Sequence, residues 1–224
     1  MARQERAVRT RRTVLEAAAA VFDERGYKAA TIADILERAD VTKGALYFHF
    51  ASKRALAQGI LDEQFSQAEV PPREYRMQEL IDTGMLLAHR MRHDPLLSAG
   101  ARLSLGPDMK EIFDGGSLPG WIQVTEQLLT QAKQQDELLA HIDPATTAWT
   151  LSACWTGAQI YSQTLNNRED LERRIADIYQ HILPTIVTPT VLARLDLTPT
   201  RGTHVYAEIT TKSDPGQRSG ATSR

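Results

Sequence analysis

One stretch of sequence decides the fold of this chain: residues 31–50, which read TIADILERADVTKGALYFHF. Its first half predicts a short helix that begins directly after Thr31. The apolar residues of this helix recur at helical spacing and would bury one face; they are Ile32, Ile35, Leu36 and Ala39. Thr31 can cap the helix, and Asp34, at the third helical position, completes a short form of the capping box.

The second half of the stretch predicts another short helix, from Lys43 to His49. Asp40, Val41 and Thr42 interrupt the apolar pattern, and Thr42 can cap the new helix. Its inward side chains are predicted to be Ala45, Leu46 and Phe48. Its outward residues are predicted to be Thr42, Lys43, Gly44, Tyr47 and His49. Two short helices joined by a tight turn, the second presenting small, basic and phenolic groups, indicate a helix-turn-helix that can enter a major groove.

The residues around this motif are more specific than a generic helix-turn-helix. Gly26 and Tyr27 follow an Ala-rich segment, residues 41–50 read VTKGALYFHF, and Lys53 follows. Over about residues 8–60 this pattern resembles the TetR family of transcriptional repressors. More narrowly, the start MARQERA and the segment TKGALYFHF are similar to the γ-butyrolactone autoregulator receptors of that family, which include receptors for butenolide signals.

The resemblance implies contacts to double-stranded operator DNA. The residues expected to make them are Thr31, Thr42, Lys43, Gly44, Tyr47, His49 and Lys53. Thr42 and Tyr47 are expected to hold phosphates through their hydroxyl groups, and Lys43 to reach base edges or phosphate. Lys53 is a candidate phosphate contact near a helix N-terminus, whereas His49 could instead be a structural partner of the turn. Without the family pattern, an ordinary solvated face would explain the same polar residues.

The charge of the chain is divided unevenly between its two parts. The 224 residues carry a formal net charge of −2. Residues 1–54 contain 11 Lys and Arg against 7 Asp and Glu, a net charge of +4, so the remaining residues carry −6. A basic end on an acidic body is typical of a protein that touches phosphates with one end, although a chance fluctuation of surface charge would give the same numbers.

Composition predicts an ordinary soluble protein. Hydrophobic residues make up 42% of the chain, yet no apolar run approaches the roughly 20 residues of a membrane-spanning helix. The N-terminus lacks the apolar region of a signal peptide, and a single cysteine, Cys154, excludes an intramolecular disulfide. We therefore expect a cytoplasmic protein with no membrane partner.

The pattern along the chain predicts an all-α protein in three parts. Residues 1–52 form the predicted helix-turn-helix DNA-binding domain, and residues 53–197 a helical ligand-binding and dimerisation domain. Residues 198–224 are rich in Thr, Ser, Gly and Pro, and this composition predicts a disordered tail. The late helices, about 144–165 and 168–183, are the expected homodimer faces, packed as a four-helix bundle across a two-fold axis.

Three residues of the body are candidates for a ligand site. Trp121 begins a predicted helix after a loop rich in Gly, Pro and Asp, and it falls where the autoregulator receptors carry a pocket tryptophan. A lactone needs hydrogen-bond donors for its carbonyl and an apolar wall for its alkyl chain. Gln64 and Thr156 could donate, and Trp121 could form the wall and a lid. Ordinary intrahelical or solvent hydrogen bonds are the alternative for Gln64 and Thr156, and Trp149 is expected to be core.

Enzymatic chemistry has little support in the sequence. His89 and His93 lie four residues apart, as metal ligands on one helix face would, but no acidic residue stands between them. Cys154 lies in an apolar run, which favours a buried inert thiol. We expect no catalytic residue, metal or cofactor.

The resemblance instead implies a dimeric repressor that its ligand releases from DNA by moving the fourth helix. Three alternatives stay open. One is a multidrug-sensing repressor with a broader pocket, and another is a helical binding protein or enzyme with a vestigial DNA-binding head. The third is a receptor-like protein that no longer binds the lactone.

Overall fold

The computed structural model describes residues 2–65, 70–106 and 109–212, and their regular structure is helical. Within these ranges no strand is formed, and one isolated antiparallel bridge joins Leu138 to Val187. The predicted all-α class is confirmed. In chain order the helices are α1 Ala2–Ala29, α2 Ile32–Ala39, α3 Lys43–His49, α4 Lys53–Asp62, α5 Arg76–His93, α6 Pro95–Ser104, α7 Met109–Phe113, α8 Leu118–Gln134, α9 Pro144–Asn166, α10 Leu171–Ile182 with a 3-10 turn Leu183–Thr185, α11 Pro189–Leu192 and α12 Arg201–Lys212.

The chain divides into two compact units. The first comprises residues 1–67 and 93–120, and the second comprises residues 68–92 and 121–224. The sequence predicts a domain boundary at residue 52. The observed division differs from it, because α4 and α6 belong to the same compact unit as the helix-turn-helix. The chain enters the second unit at residue 68, returns to the first unit at residue 93, and enters the second unit again at residue 121.

The core of the first unit is built on α1. The apolar stripe of α1 is buried at Val14, Leu15, Ala18, Val21 and Phe22. Leu56 and Ile60 of α4 and Leu96 of α6 pack into the same cluster, and each exposes at most 1% of its surface. Burial of this much apolar surface is the main stabilising term for the unit. The helix-turn-helix therefore shares one core with α4 and α6.

The first helix is longer than the sequence indicates. α1 begins at Ala2, whereas the apolar stripe alone predicts a start near Arg9 with a separate basic arm before it. The basic N-terminal residues thus continue the helix, and Arg6 and Arg9 are exposed on its surface. Gly26 has a φ of 76° and interrupts the regular helix, because glycine adopts positive φ without a steric penalty.

The helix-turn-helix has the predicted boundaries and caps. Asp34 and Thr31 form the capping box: the Asp34 N–H donates to Thr31 Oγ1 at 3.2 Å, and the Thr31 N–H donates to Asp34 Oδ2 at 2.9 Å. Asp40 ends α2 in the left-handed region with a φ of 51°. Thr42 caps α3, where its Oγ1 accepts from the Ala45 N–H at 3.2 Å.

In the second unit, four residues (167–170) join α9 to α10, and the first two of them are in the left-handed region. Asn167 has a φ of 48° and Arg168 a φ of 64°. Ser162 fixes the joint by donating to Asp170 Oδ1 at 2.6 Å. That hydrogen bond, with further support from Arg174, lowers the pKa of Asp170 to about 2. The turn between the two helices is thus held by a carboxylate that stays ionised at neutral pH.

The prediction of a disordered tail over residues 198–224 is wrong for the part that the structure describes. Its first half forms α12, which docks within the second unit and buries Val205 completely. Gly202 lies against the backbone of α5, where a Cβ atom would overlap a carbonyl oxygen. Residues 213–224 lie outside the described residues.

An ion-pair network holds α12 to α5. Asp82, which exposes none of its surface, accepts from Arg201 Nε and Nη2, both at 2.6 Å, and from Arg73 Nε at 2.7 Å. Arg73 also donates to Glu208 at 2.7 Å, so α12 is held at its first residue and again about two turns later. A buried carboxylate is tolerated only when its charge and lone pairs are matched in this way.

We expect Asp82→Asn to lower the free energy of unfolding by about 3–5 kcal/mol, because two arginines would lose the charge they surround. The matched control is Asp177→Asn, since Asp177 is partly exposed and lies 3.8 Å from Arg174; we expect its change to be about 0–1 kcal/mol. Chemical denaturation at one fixed protein concentration measures both. Equal losses in the two variants would contradict the role assigned to Asp82.

Candidate nucleic-acid interface and ligand-binding residues

The outward face of α3 consists of two rows of side chains. An α-helix turns by about 100° per residue, so residues four apart lie on one row. Lys43 and Tyr47 form the first row, and Lys43 Nζ lies 6.0 Å from the centroid of the Tyr47 ring. Gly44 and Phe48 form the second row. All four are exposed, and they present a cation, a phenol, a bare turn of backbone and an aromatic ring.

The prediction that Phe48 packs inward is wrong. Phe48 exposes 80% of its surface, whereas Leu46 exposes none and Phe50 only 5%. Phe50 packs in the core of the first unit, whereas Phe48 lies about 200° around α3 from Leu46 and faces solvent. His49 is half-buried with its centroid 4.9 Å from that of Phe48 and 6.5 Å from that of Phe50, which suits the structural role considered for it.

The two threonines differ in what they can offer a phosphate. The Thr31 hydroxyl donates to Asp34 Oδ2 at 2.7 Å, and this hydrogen bond is the largest of the effects that lower the pKa of Asp34. Its proton is therefore committed within the capping box. Thr42 uses its oxygen as an acceptor for the Ala45 N–H, and its exposed hydroxyl can donate outward. Thr42 is accordingly the better phosphate donor of the two.

Lys53 has a structural function that the sequence analysis misses. Its Nζ donates to the carbonyl oxygens of Tyr27 at 2.8 Å, Lys28 at 3.2 Å and Ala30 at 2.9 Å. It also lies 4.7 Å from the centroid of the Tyr27 ring. An ammonium group has three protons, and each has an acceptor here. This geometry fastens the start of α4 to the end of α1, and it argues against the predicted phosphate contact by Lys53.

Tyr27 contacts both Lys53 and the aromatic residues in the core of the first unit. Its ring centroid lies 5.4 Å from that of Phe22 and 5.5 Å from that of Phe113, the latter in an edge-on arrangement. Burial raises the pKa of the Tyr27 hydroxyl. The lysine thus rests on an aromatic cluster whose position is set by packing, and the N-terminus of α4 is fixed relative to α1.

Gln64 lies just beyond α4, within a buried polar chain of the first unit. The Ser117 hydroxyl donates to Gln64 Oε1 at 2.8 Å, and Ser117 and Ser104 hydroxyl groups are 2.8 Å apart. Ser104 also donates to the Gly100 carbonyl oxygen at 2.9 Å. Gln64, Ser104 and Ser117 expose 3–4% of their surfaces. The two serines were missed because nothing in the sequence marks them as partners of a residue 40 or more positions away.

Trp121 and Thr156 belong to the second unit. α8 begins at Leu118, earlier than predicted, so half-buried Trp121 lies in its first turn. Thr156 is half-buried on α9 beside Trp155, whose indole N–H donates to the Gly84 carbonyl oxygen at 3.3 Å. Sequence reasoning missed the role of Gly84. A Cβ at that position would overlap the hydroxyl of Tyr179, a group whose pKa is raised by burial and by the charge of Asp82.

An apolar surface runs along α9. Its exposed large hydrophobic side chains are Trp149, Ile160, Tyr161 and Leu165. The expectation that Trp149 is core is wrong, because it exposes 63% of its surface. Exposed apolar residues concentrated on one helix are typical of a protein–protein interface.

Other candidate chemistry finds little support in the described residues. His89 lies 3.3 Å from Glu172, and within the described ranges no group of three or more His, Cys, Asp or Glu could hold a metal ion. Cys154 is half-buried, less enclosed than the sequence indicates. None of the described helices is long and apolar enough to cross a membrane.

Comparisons with known proteins agree with this architecture. Residues 14–60 match the family described as bacterial regulatory proteins, tetR family. The A-factor receptor protein of Streptomyces griseus is 44% identical over 197 residues, which cover 87% of this chain and 70% of that protein. The crystal structure of full-length native TylP, a TetR regulator from Streptomyces fradiae, is 42% identical, with a TM-score of 0.82, and the match covers 91% of this chain and 98% of TylP.

A third relative is a solved γ-butyrolactone receptor described as an ArpA-like protein. It is 29% identical with a TM-score of 0.68, and the match covers 91% of this chain and 99% of that one. The similarity to all three relatives extends well beyond the helix-turn-helix into the helical body. The chain therefore belongs to the tetR family of bacterial regulatory proteins, as a ligand-responsive transcriptional repressor.

Proposed function

We propose that this protein binds operator DNA as a homodimer and is released from it by a γ-butyrolactone or butenolide signal. The observation that carries the ligand class is the 44% identity to the A-factor receptor over 87% of the chain. The family match over residues 14–60 supports DNA binding alone. The match to the A-factor receptor also extends over the helical body, where a signal would bind, and a related structure is described as a γ-butyrolactone receptor.

The proposed reading head is residues 1–52, with α3 in the major groove. Lys43 reaches base edges or phosphate, and the hydroxyl groups of Thr42 and Tyr47 hold phosphates. Gly44 permits close approach, since a Cβ there would meet only Thr42 Oγ1, at 4.0 Å. Thr31 and Lys53 support the head through the capping box and the carbonyl contacts described above, and His49 supports α3.

A homodimer carries two DNA-binding heads, one from each subunit. One head contacts too few base pairs to select a single site in a genome, so two heads would bind half-sites about 34–36 Å apart or a multiple of that distance. We assign the dimer interface to α9 and α10, within residues 53–197, because the exposed large hydrophobic residues of α9 would otherwise face water. Covering such a surface is a common reason for stable association.

The proposed ligand-recognition residues are Gln64, Trp121 and Thr156. The chemistry of each side chain supports the proposal: a neutral lactone with an alkyl chain needs an apolar wall, which an indole offers, and hydrogen-bond donors, which an amide and a hydroxyl group offer. No charged partner is needed, since a buried unpaired charge would be strongly unfavourable. The second candidate is a multidrug-sensing repressor, and the half-buried indole of Trp121 would also serve that broader ligand range. We assign no catalytic activity, and a repressor of this kind acts in the cytoplasm, where operator DNA lies.

We expect Lys43→Ala to weaken binding to a duplex that the wild-type protein selects from a random-sequence library. The loss of one cation at the phosphates should also reduce the slope of log affinity against log salt by about 0.9 per subunit. The control is Arg194→Ala, which removes one exposed positive charge from the second unit. Lys43→Ala binding with wild-type affinity and slope would rule out the assignment.

We expect Trp121→Ala to bind the selected duplex normally but to lose its release by an alkyl-substituted γ-butyrolactone, because the apolar wall for the alkyl chain is removed. Fluorescence anisotropy of labelled duplex, titrated with the lactone, measures both properties. The control is Gln127→Ala, which changes an exposed residue of α8 and should leave release intact. If Trp121→Ala dissociates at the wild-type lactone concentration, the residue or the ligand class is wrong.

A further inference from the structure

The most exposed large hydrophobic side chain in the described residues is Phe48. It exposes 80% of its surface, more than Tyr161 at 72% or Leu165 at 71%. Those two residues lie on α9, where the proposed dimer interface would cover them. Phe48 lies on α3 in the first unit, and folding of the chain alone leaves its ring in water. A ring left in water forgoes the stabilisation that burial of its apolar surface would give.

The residues around Phe48 leave its ring pointing outward and exposed to solvent. His49 packs edge-on against it, with the ring planes 83° apart and the centroids 4.9 Å apart. Gly44, one helical turn earlier on the same row, has no side chain to cover it. The adjacent row carries Lys43 and Tyr47, and the Lys43 ammonium lies over the Tyr47 ring. The ring therefore projects from the face that carries the proposed DNA contacts.

A duplex offers one apolar group that such a ring can recognise in the major groove. This group is the C5 methyl of thymine, and aromatic and methyl-bearing side chains contact it by apolar burial. The polar edges of the other bases need donors or acceptors, which a phenylalanine ring lacks. The net charge of +4 on residues 1–54 favours a polyanionic partner for this face over an apolar protein surface.

We propose that Phe48 is a specificity-determining residue that contacts the methyl group of one thymine in each operator half-site. The inference rests on the proposed DNA-binding function and extends it to base identity. Phosphate contacts from Thr42, Lys43 and Tyr47 would fix the register of α3, and the Phe48 ring would then read a position by its methyl group. Burial of one methyl group corresponds to about fourfold in affinity for each half-site, or about fifteenfold for two.

Replacement of thymine by uracil tests this directly, because uracil lacks only the methyl group. The probe is a duplex that the wild-type protein selects from a random-sequence library, and each thymine of both half-sites is replaced in turn by deoxyuridine. At one fixed salt concentration, wild-type affinity should fall about fifteenfold at one symmetric pair of positions. Phe48→Ala should bind the unmodified duplex about fifteenfold more weakly and should not respond to uracil at that pair.

Two comparison variants separate the ring from its neighbours. Tyr47→Phe removes one hydroxyl group from the adjacent row and should keep the uracil response of the wild type. Phe48→Leu keeps an apolar side chain and should retain part of the response. Because the Phe48 ring is exposed, Phe48→Ala should unfold at the wild-type temperature, and thermal unfolding checks this.

The possible outcomes distinguish this inference from the function on which it rests. A wild-type protein that selects a duplex but responds to no uracil replacement would overturn the role of Phe48 alone. The same holds if Phe48→Ala keeps the complete wild-type response. A wild-type protein that enriches no duplex sequence from the library would contradict the proposed operator binding itself.

Discussion

The ammonium group of Lys53 is the contact on which the DNA-reading half depends. It donates to the carbonyl oxygens of Tyr27, Lys28 and Ala30, which lie where α1 ends and α2 is about to begin. The last carbonyl groups of a helix have no partners within it, and a cation there is favoured by the helix dipole. Because Lys53 is the first residue of α4, one side chain closes the segment that contains α2 and α3. The recognition helix is held between two fixed ends.

The same helix leads from this contact to the buried polar chain. α4 is 10 residues long, or about 15 Å, and Leu56 and Ile60 bury it against α1. Just beyond its end, Gln64 accepts from Ser117. Buried hydrogen bonds of this kind are directional and help to fix Gln64 relative to Ser117. A ligand can lower the affinity for DNA only if it binds the DNA-free state of the repressor more tightly than the DNA-bound state.

The features that the sequence predicted correctly are those that depend on residues close together in the chain. The capping box of Thr31 and the boundaries of α3 follow from residues at most four apart, and the structure has both. Phe48 and Phe50 are equivalent in hydropathy, and the prediction for Phe48 overlooked that two residues turn an α-helix by about 200°, which places Phe48 opposite buried Leu46. Features that depend on distant partners were missed. α12 lies in a polar, disorder-like composition, yet Arg201 pairs with Asp82 over a separation of 119 residues, a partner that no local pattern indicates.

The salt dependence of DNA binding by Lys53→Met tests the structural role of Lys53 most directly. Affinity for a selected duplex is measured at several salt concentrations, together with the free energy of unfolding. If Lys53 acts through the carbonyl groups, the variant loses stability and affinity while the slope of log affinity against log salt stays at the wild-type value. A slope reduced by about 0.9 per subunit, with unchanged stability, would instead show that Lys53 contacts a phosphate.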